Sequence, residues 1–219
     1  MTDKQKVVMF QGDSITDGGR PKESEGHGTS YPYLIASRVG ADLANQSPTF
    51  YNRGISGNRV SDMNARWNED TFYYSPDVIS ILIGVNDAWR IVDNGPKGAT
   101  DRFERHYTAL LAETREVLPE TTLILLEPFV LKTGSTVEEW DRWMDIIPTY
   151  QAKVRQLADQ YDTVFVPLQE MFDQACKLAD ASFWLYDGVH PTAAGHALIA
   201  DQWLTIVKKS PKIGHLFHK

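Results

Sequence analysis

Cysteine is nearly absent from this chain. Cys176 is the only one in 219 residues, so no internal disulfide can form and a cysteine-stapled scaffold is excluded. A lone thiol fits a reducing compartment. Long apolar runs are missing as well. The N-terminal run covers only Val7 to Phe10, too short for a signal-peptide core, and no segment approaches the ~18 apolar residues of a spanning helix. These absences lead us to expect a cytoplasmic protein without a membrane partner. A surplus of basic charge is also lacking. Lys and Arg number 22 against 29 Asp and Glu, for a net charge of -7. That balance lacks the electrostatic footprint of a nucleic-acid binder. The densest basic group, "KKSPK" at 208–212, reads as a solvated end.

What is present is an ordinary globular balance, 42% hydrophobic and 23% charged. Apolar runs with β-type composition fall at 6–11, 49–53, 77–84, 121–128 and 162–167. Helical patterns lie between them. Phe103, Tyr107, Leu110, Leu111, Thr114 and Leu118 share one face of a helix over 101–118. Ser135 with Glu138, or Thr136 with Glu139, offers a capping box for a helix reaching toward 160, which Pro148 should break or kink. In the last helix Pro191 suits the first turn, and Ile199, Trp203, Ile206 and Val207 recur at helical spacing. Continuous apolar strands alternating with amphipathic helices predict a five-stranded parallel sheet covered on both faces. The expected fold class is a three-layer α/β/α domain over 1–219, with no repeats and no linker.

Such sheets gather functional loops at the carboxyl ends of their strands. After the first predicted strand comes Gly12-Asp13-Ser14, where Ser14 reads either as a helix cap or as a nucleophile. After the second comes "NRGISGNRVSD", where Gly54 and Gly57 bracket a turn that can bring a backbone N–H close to a ligand. After the third comes Gly84-Val85-Asn86-Asp87, in which Asn86 is either a turn residue or an amide donor to an oxyanion. Before the last helix, "YDGVHPTAAGH" sets Asp187 three residues ahead of His190. A carboxylate there can hold the imidazole tautomer that leaves the other nitrogen free as a base. Together these supply a hydroxyl nucleophile, a base, an orienting acid and oxyanion donors.

The blocks "GDSIT", "GISGN", "GVND" and "DGVHP", in that order from residue 12 to 191, resemble those of the SGNH (GDSL-type) hydrolases. The resemblance implies a flavodoxin-like fold and a Ser14–His190–Asp187 triad. It also implies an oxyanion hole made by the Ser14 and Gly57 N–H groups with the Asn86 side chain, and no metal or other cofactor. Ile15 stands where the family name has leucine, an apolar exchange.

"ISGNRVSDMNARWNED" followed by "IGVNDAWR" is similar to the subgroup of acetylxylan esterases and related sugar deacetylases. That subgroup commonly carries tryptophan before the triad aspartate, where this chain has Tyr186. The implied activity is release of short acyl groups, acetyl above all, from a small-molecule or oligosaccharide ester. Enzymes of this kind are often oligomeric, which implies a homo-oligomer. Candidate substrate contacts are Asp13, Asn58, Trp89, Arg90 and Tyr186, with Trp184 also flanking the site in sequence. The polar insertion at 18–31 brings His27 and Tyr31 as candidate rim residues, while His196 reads as a packing residue. The alternatives are an acyl esterase of the lysophospholipase or thioesterase type, a metal-dependent hydrolase using Asp13, Asp17, Asp187, His190 and His196, and a non-catalytic carbohydrate-binding module.

Overall fold

The structure, a computed structural model, describes residues 5–20, 26–93 and 99–217, without the side chains of 215 and 216. Five strands form one sheet: β1 (Val7–Gly12), β2 (Thr49–Asn52), β3 (Val78–Leu82), β4 (Thr122–Leu126) and β5 (Val164–Val166). Every pairing is parallel and the order is β2-β1-β3-β4-β5. This is the flavodoxin-like order, and the chain reverses its direction of travel across the sheet between β1 and β3.

The early helices are α1 (Ser14–Asp17), α2 (Tyr31–Asp42), α3 (Val60–Ala65) and α4 (Trp67–Asp70). Then come α5 (Val85–Val92), α6 (Ala99–Val117) and α7 (Trp140–Gln160). The chain closes with α8 (Gln169–Ala175), α9 (Ala181–Trp184) and α10 (Ala193–Lys209). Right-handed crossovers put the chain between β1 and β2 on one face of the sheet and the helices linking β2 through β5 on the other, and the chain after β5 returns to the first face. Accordingly α2 packs with α10, while α3, α5, α6 and α7 pack among themselves. Among the described residues, no helix is long and apolar enough to cross a membrane.

The strands read as continuous apolar runs because both faces are covered. All five residues of β3 are buried, as are Leu123 to Leu126 of β4. Each such aliphatic side chain contributes about 1.5–3 kcal/mol by leaving water. Polar ties fix the layers in register. Trp203 Nε1 on α10 donates to Ser80 Oγ on β3 at 3.0 Å, and Trp67 Nε1 on α4 donates to Thr114 Oγ1 on α6 at 2.9 Å. The buried stripe of α6 is the expected one, Phe103 through Thr114.

Three local expectations need correction. The helix toward 160 begins at Trp140, so neither Ser135 nor Thr136 caps it. They sit in a short 3-10 turn, Gly134–Thr136, whose capping box is closed by Thr133 and Thr136. Pro148 does not end α7; the helix runs on to Gln160. The carbonyl that proline leaves without its usual donor belongs to Met144, an exposed residue. Pro191 lies just outside α10. Thr192 is the N-cap, its Oγ1 accepting from Gly195 N at 3.2 Å.

Candidate active site

The crevice at the carboxyl ends of β1 and β3 is built by short turns. At Gly12 a Cβ atom would lie 2.3 Å from Thr16 Oγ1 and 2.4 Å from the Leu82 carbonyl, so only glycine allows the strand to turn into α1. Asp13, not Ser14, caps α1: its Oδ1 accepts from Ile15 N at 3.0 Å. Ser14 is therefore the first helical residue, with its hydroxyl turned to His190.

The Ser14 hydroxyl lies 2.8 Å from His190 Nε2, and His190 Nδ1 lies 2.7 Å from Asp187 Oδ2. A carboxylate only accepts, so Nδ1 carries the proton and Nε2 offers its lone pair to the serine. Asp187 Oδ1 also accepts from the backbone N–H groups of Val189 (2.9 Å) and His190 (2.7 Å). Burial alone would raise the Asp187 pKa, but these bonds outweigh it and hold the carboxyl below the usual carboxylate range. The hydrogen bond to Asp187 is the main cause that raises the His190 pKa above its ordinary 6.5. Burial opposes it, and the charges of Asp187 and Asp13 add to it.

The loop carrying Asp187 is held from outside. Ser135 donates to the Asp187 carbonyl through both its N–H (3.0 Å) and its hydroxyl (2.9 Å), and Leu131 N donates to Gly188 O at 2.9 Å. The predicted capping residue thus serves this loop instead of α7.

Across the crevice, Asn86 at the start of α5 donates through Nδ2 to the Asn58 carbonyl at 3.1 Å, and its second amide proton has no acceptor among the described residues. Gly57 has φ +81 and is exposed; a Cβ there would meet nothing within 4 Å. Its N–H has no acceptor among the described residues. Asp17 Oδ2 anchors the same loop by accepting from Ser56 N and Ser56 Oγ.

Arg66, which sequence reasoning passed over, wires these parts together. Its Nε donates to Asn58 Oδ1 at 2.8 Å. Its Nη1 donates to Gln11 Oε1, the Arg53 carbonyl and Asp70 Oδ2, each at 2.9 Å, and its Nη2 to the Gly12 carbonyl at 3.4 Å. Only its place in the polar run "NARWNED" marked it in the sequence.

The remaining candidates divide. The Trp89 ring lies 6.4 Å from the His190 ring, and Tyr186, 61% exposed, stacks on that imidazole at 5.7 Å. Arg90 is exposed and lines a neighbouring recess. Asp13 is not a substrate contact, because its side chain is fully buried. One oxygen caps α1 and Oδ2 has no partner among the described residues, and burial pushes its pKa up to about 7 against the Ile15 N–H bond and the His190 charge. Asn58 acts as a support, since Arg66 and Asn86 occupy its two oxygens. Trp184 Nε1 is bonded to the Ala175 carbonyl, a packing role. Tyr31 is buried with its hydroxyl on Thr16 Oγ1, so it does not form a rim. His27 offers its carbonyl to Asn52 Nδ2, and residues 21–25 of the insertion lie outside the described residues. His196 accepts from Tyr31 N at 3.3 Å, and burial lowers its pKa to about 4. Among the described residues, no three His, Cys, Asp or Glu side chains gather as a metal site.

Residues 10–198 match the model of the GDSL-like lipase/acylhydrolase family, so the chain belongs to that family and is a carboxylic ester hydrolase. It is 34% identical to an acetylxylan esterase of Geobacillus stearothermophilus over 206 residues, which cover 90% of this chain and 91% of that protein. A crystal structure of that bacterium's acetylxylan esterase superposes with a TM-score of 0.81 at 32% identity, covering 97% and 99% of the two chains. A structure from Parabacteroides merdae, assigned as a GDSL-like lipase, superposes at 0.88 with 41% identity, covering 93% of this chain and 95% of that one. Solved forms of the Geobacillus esterase include catalytic mutants at a serine, an aspartate and a histidine.

Proposed function

We propose that this chain is a serine esterase that removes short acyl groups, acetyl above all, from carbohydrates, with Ser14 as nucleophile, His190 as base and Asp187 as its orienting acid. The observation that carries the reading is the unbroken hydrogen-bond line from Asp187 through His190 to Ser14 at the open end of the sheet. The catalytic mutants of the Geobacillus esterase fall on the same three residue types, and its aspartate and histidine are spaced like Asp187 and His190.

The chemistry follows from the geometry. Ser14 Oγ attacks the ester carbonyl as its proton passes to His190 Nε2. The carbonyl oxygen becomes an oxyanion, met by the free Asn86 amide proton and the Gly57 and Ser14 N–H groups. His190 then gives its proton to the departing sugar hydroxyl, leaving an acyl-serine. A water, deprotonated by the same imidazole, releases the carboxylate and restores Ser14. The exposed Tyr186 ring beside His190 offers a flat apolar face with a polar tip, the surface a pyranose packs on. The loops around Ser14 carry mostly small or polar groups, which suits a short acyl pocket and a substrate recognised through its sugar.

The experiment combines a covalent label with a substrate series. A fluorophosphonate should label the parent protein at Ser14 and leave Ser14→Ala unlabelled. The parent should release acetate from acetylated xylo-oligosaccharides. Its kcat/KM should fall from acetyl to butyryl model esters by about 1–3 kcal/mol of barrier per unaccommodated methylene. Labelling elsewhere overturns the triad; preference for octanoyl esters with no acetate release from any sugar overturns the deacetylase reading.

A further inference from the structure

Beside the proposed site lies a recess of about 60 Å³ lined by Arg59, Ser61, Asp87, Arg90, Arg102 and His106, with two apolar neighbours. Three arginines line it in a protein of net charge -7. We propose that this recess holds a carboxylate carried by the substrate, a uronic acid attached to or next to the acetylated sugar. This rests on the carbohydrate-esterase reading and narrows its substrate to acidic acetylated oligosaccharides.

The charges facing the recess can be followed group by group. Arg59, from the turn before α3, is committed to Asp62, donating from Nε to Oδ2 at 2.9 Å and from Nη2 to Oδ1 at 3.0 Å. Arg90 on α5 and Arg102 on α6 make no ion pair among the described residues. Asp87 is the other acid on the wall. Its Oδ2 accepts from Val60 N at 3.0 Å, and burial pushes its pKa up to about 7, so it is only partly charged near neutrality. The remainder over these arginines and acids, His106 aside, is an excess of between one and two positive charges, which suits a monoanion better than a phosphate dianion. Two guanidinium forks that form no ion pair among the described residues present the planar donor pattern that a carboxylate accepts in pairs. Ser61 adds a hydroxyl.

Its position ties this recess to the reaction. Asn86 and Arg90 stand four residues apart on α5, on one helix face and roughly 5–6 Å apart at their Cβ atoms. Arg59 directly follows Asn58, whose carbonyl holds the Asn86 amide. The two segments that would bind the oxyanion therefore continue directly into the walls of the recess. An ester carbonyl at Asn86 and an anion at Arg90 are separated by one helical turn, about the span of a single pyranose.

The test uses the whole protein and two acetylated xylo-oligosaccharides of equal length, one neutral and one bearing a glucuronic acid next to the acetylated unit. The acidic substrate should have a kcat/KM about tenfold higher, the effect of one charge-assisted contact, and raised salt should shrink the advantage. In Arg90→Gln and Arg102→Gln the ratio of acidic to neutral kcat/KM should fall toward one, chiefly through KM. A ratio near one in the parent, with both substrates deacetylated, overturns the recess proposal and leaves the esterase reading standing. A ratio unchanged in both variants places acid recognition elsewhere and overturns it too. If the parent hydrolyses an aryl acetate but neither oligosaccharide, the carbohydrate reading itself has failed. Free glucuronate should compete weakly; inorganic phosphate competing more strongly than glucuronate would make this a free-anion site and refute the substrate assignment.

Discussion

Replacing Arg66 with methionine should damage both stability and turnover. The side chain is 16% exposed and its partner Asp70 14%, so the ion pair is largely withdrawn from water. Methionine keeps much of the apolar stem and removes every donor. The Gln11, Asn58, Arg53 and Gly12 oxygens then each lose a partner. Removing one member of a buried pair costs about 3–5 kcal/mol. Arg53 still pairs with Asp70, so we expect the lower end, about 3 kcal/mol. The activity effect has a separate route. With Asn58 Oδ1 released, the carbonyl that orients Asn86 loses its anchor, and a donor displaced by ~1 Å costs on the order of 100-fold in rate. Because that donor acts on charge developing in the transition state, the loss should fall on kcat with little change in KM. Urea unfolding and steady-state kinetics on an aryl acetate measure the two effects. Arg66→Lys keeps the charge but not the fork, so it should recover part of the stability and little of the turnover. An Arg66→Met protein within 1 kcal/mol of its parent and equal in kcat would refute the wiring.

Three further outcomes follow from the site. As the proposed base, His190 must be neutral to accept the serine proton, and its pKa is raised above 6.5, so activity should fall on the acid side through a midpoint above that value. Asp187→Asn, which removes the main cause of that rise, should move the midpoint down while lowering kcat by orders of magnitude, as a pH–rate profile will show. Asn86→Ala should raise the barrier by about 2.7–4 kcal/mol, seen in kcat; a rise in KM alone would make Asn86 a ground-state contact. His196, with its pKa lowered to about 4, is held neutral in the fold. Its contribution is complete above about 6.5 and declines as pH falls from there to about 4, roughly 3 kcal/mol in all. Unfolding of His196→Asn followed across that range should show a flatter acid limb than the parent.

The sheet was legible because strands buried on both faces are continuous apolar runs; four of the five lie inside their expected spans, and β1 runs one residue past its own, to Gly12. The residues that meet at the crevice were legible because turn chemistry and functional chemistry coincide there. Gly12, Asn86 and the Asp187–His190 pair each follow or adjoin a recognisable element. What sequence alone misassigned were residues whose partners are distant. Ser135 looked like a cap because Glu138 follows at capping distance, yet its hydroxyl serves a carbonyl 52 positions away. Asp13 looked like a substrate contact because it precedes Ser14, yet its carboxyl turns inward. Tyr31 looked like a rim residue at the end of a polar insertion, yet it opens α2 and packs edge-on against Phe10. Local pattern carries no sign of such long-range bonds.

Those distant partners explain how a site made of loops can be rigid. The proposed reacting groups sit on turns or in the first turn of a helix, and such segments are the least ordered parts of a fold unless something ties them. The segments around this crevice each have a tie. Ser135 and Leu131 hold the Asp187–Gly188 carbonyls, Asp17 holds Ser56, and Arg66 holds Asn58 and the end of β1. None of these groups needs to touch the ester. Their effect is that the segments carrying Asn86 and His190 are held in place before substrate arrives, so little ordering is left for the reaction step. The proposed substrate side is less constrained: Tyr186 and Arg90 are both exposed. Variation in sugar preference among relatives should therefore concentrate at those two positions, while exchange at Ser135 or Arg66 should change rate on every ester alike. Comparing kcat/KM for an aryl acetate and an acetylated oligosaccharide separates the two. Ser135→Ala should lower both by the same factor, Tyr186→Ala only the second; the opposite pattern would assign the ties to binding and the exposed ring to the chemistry.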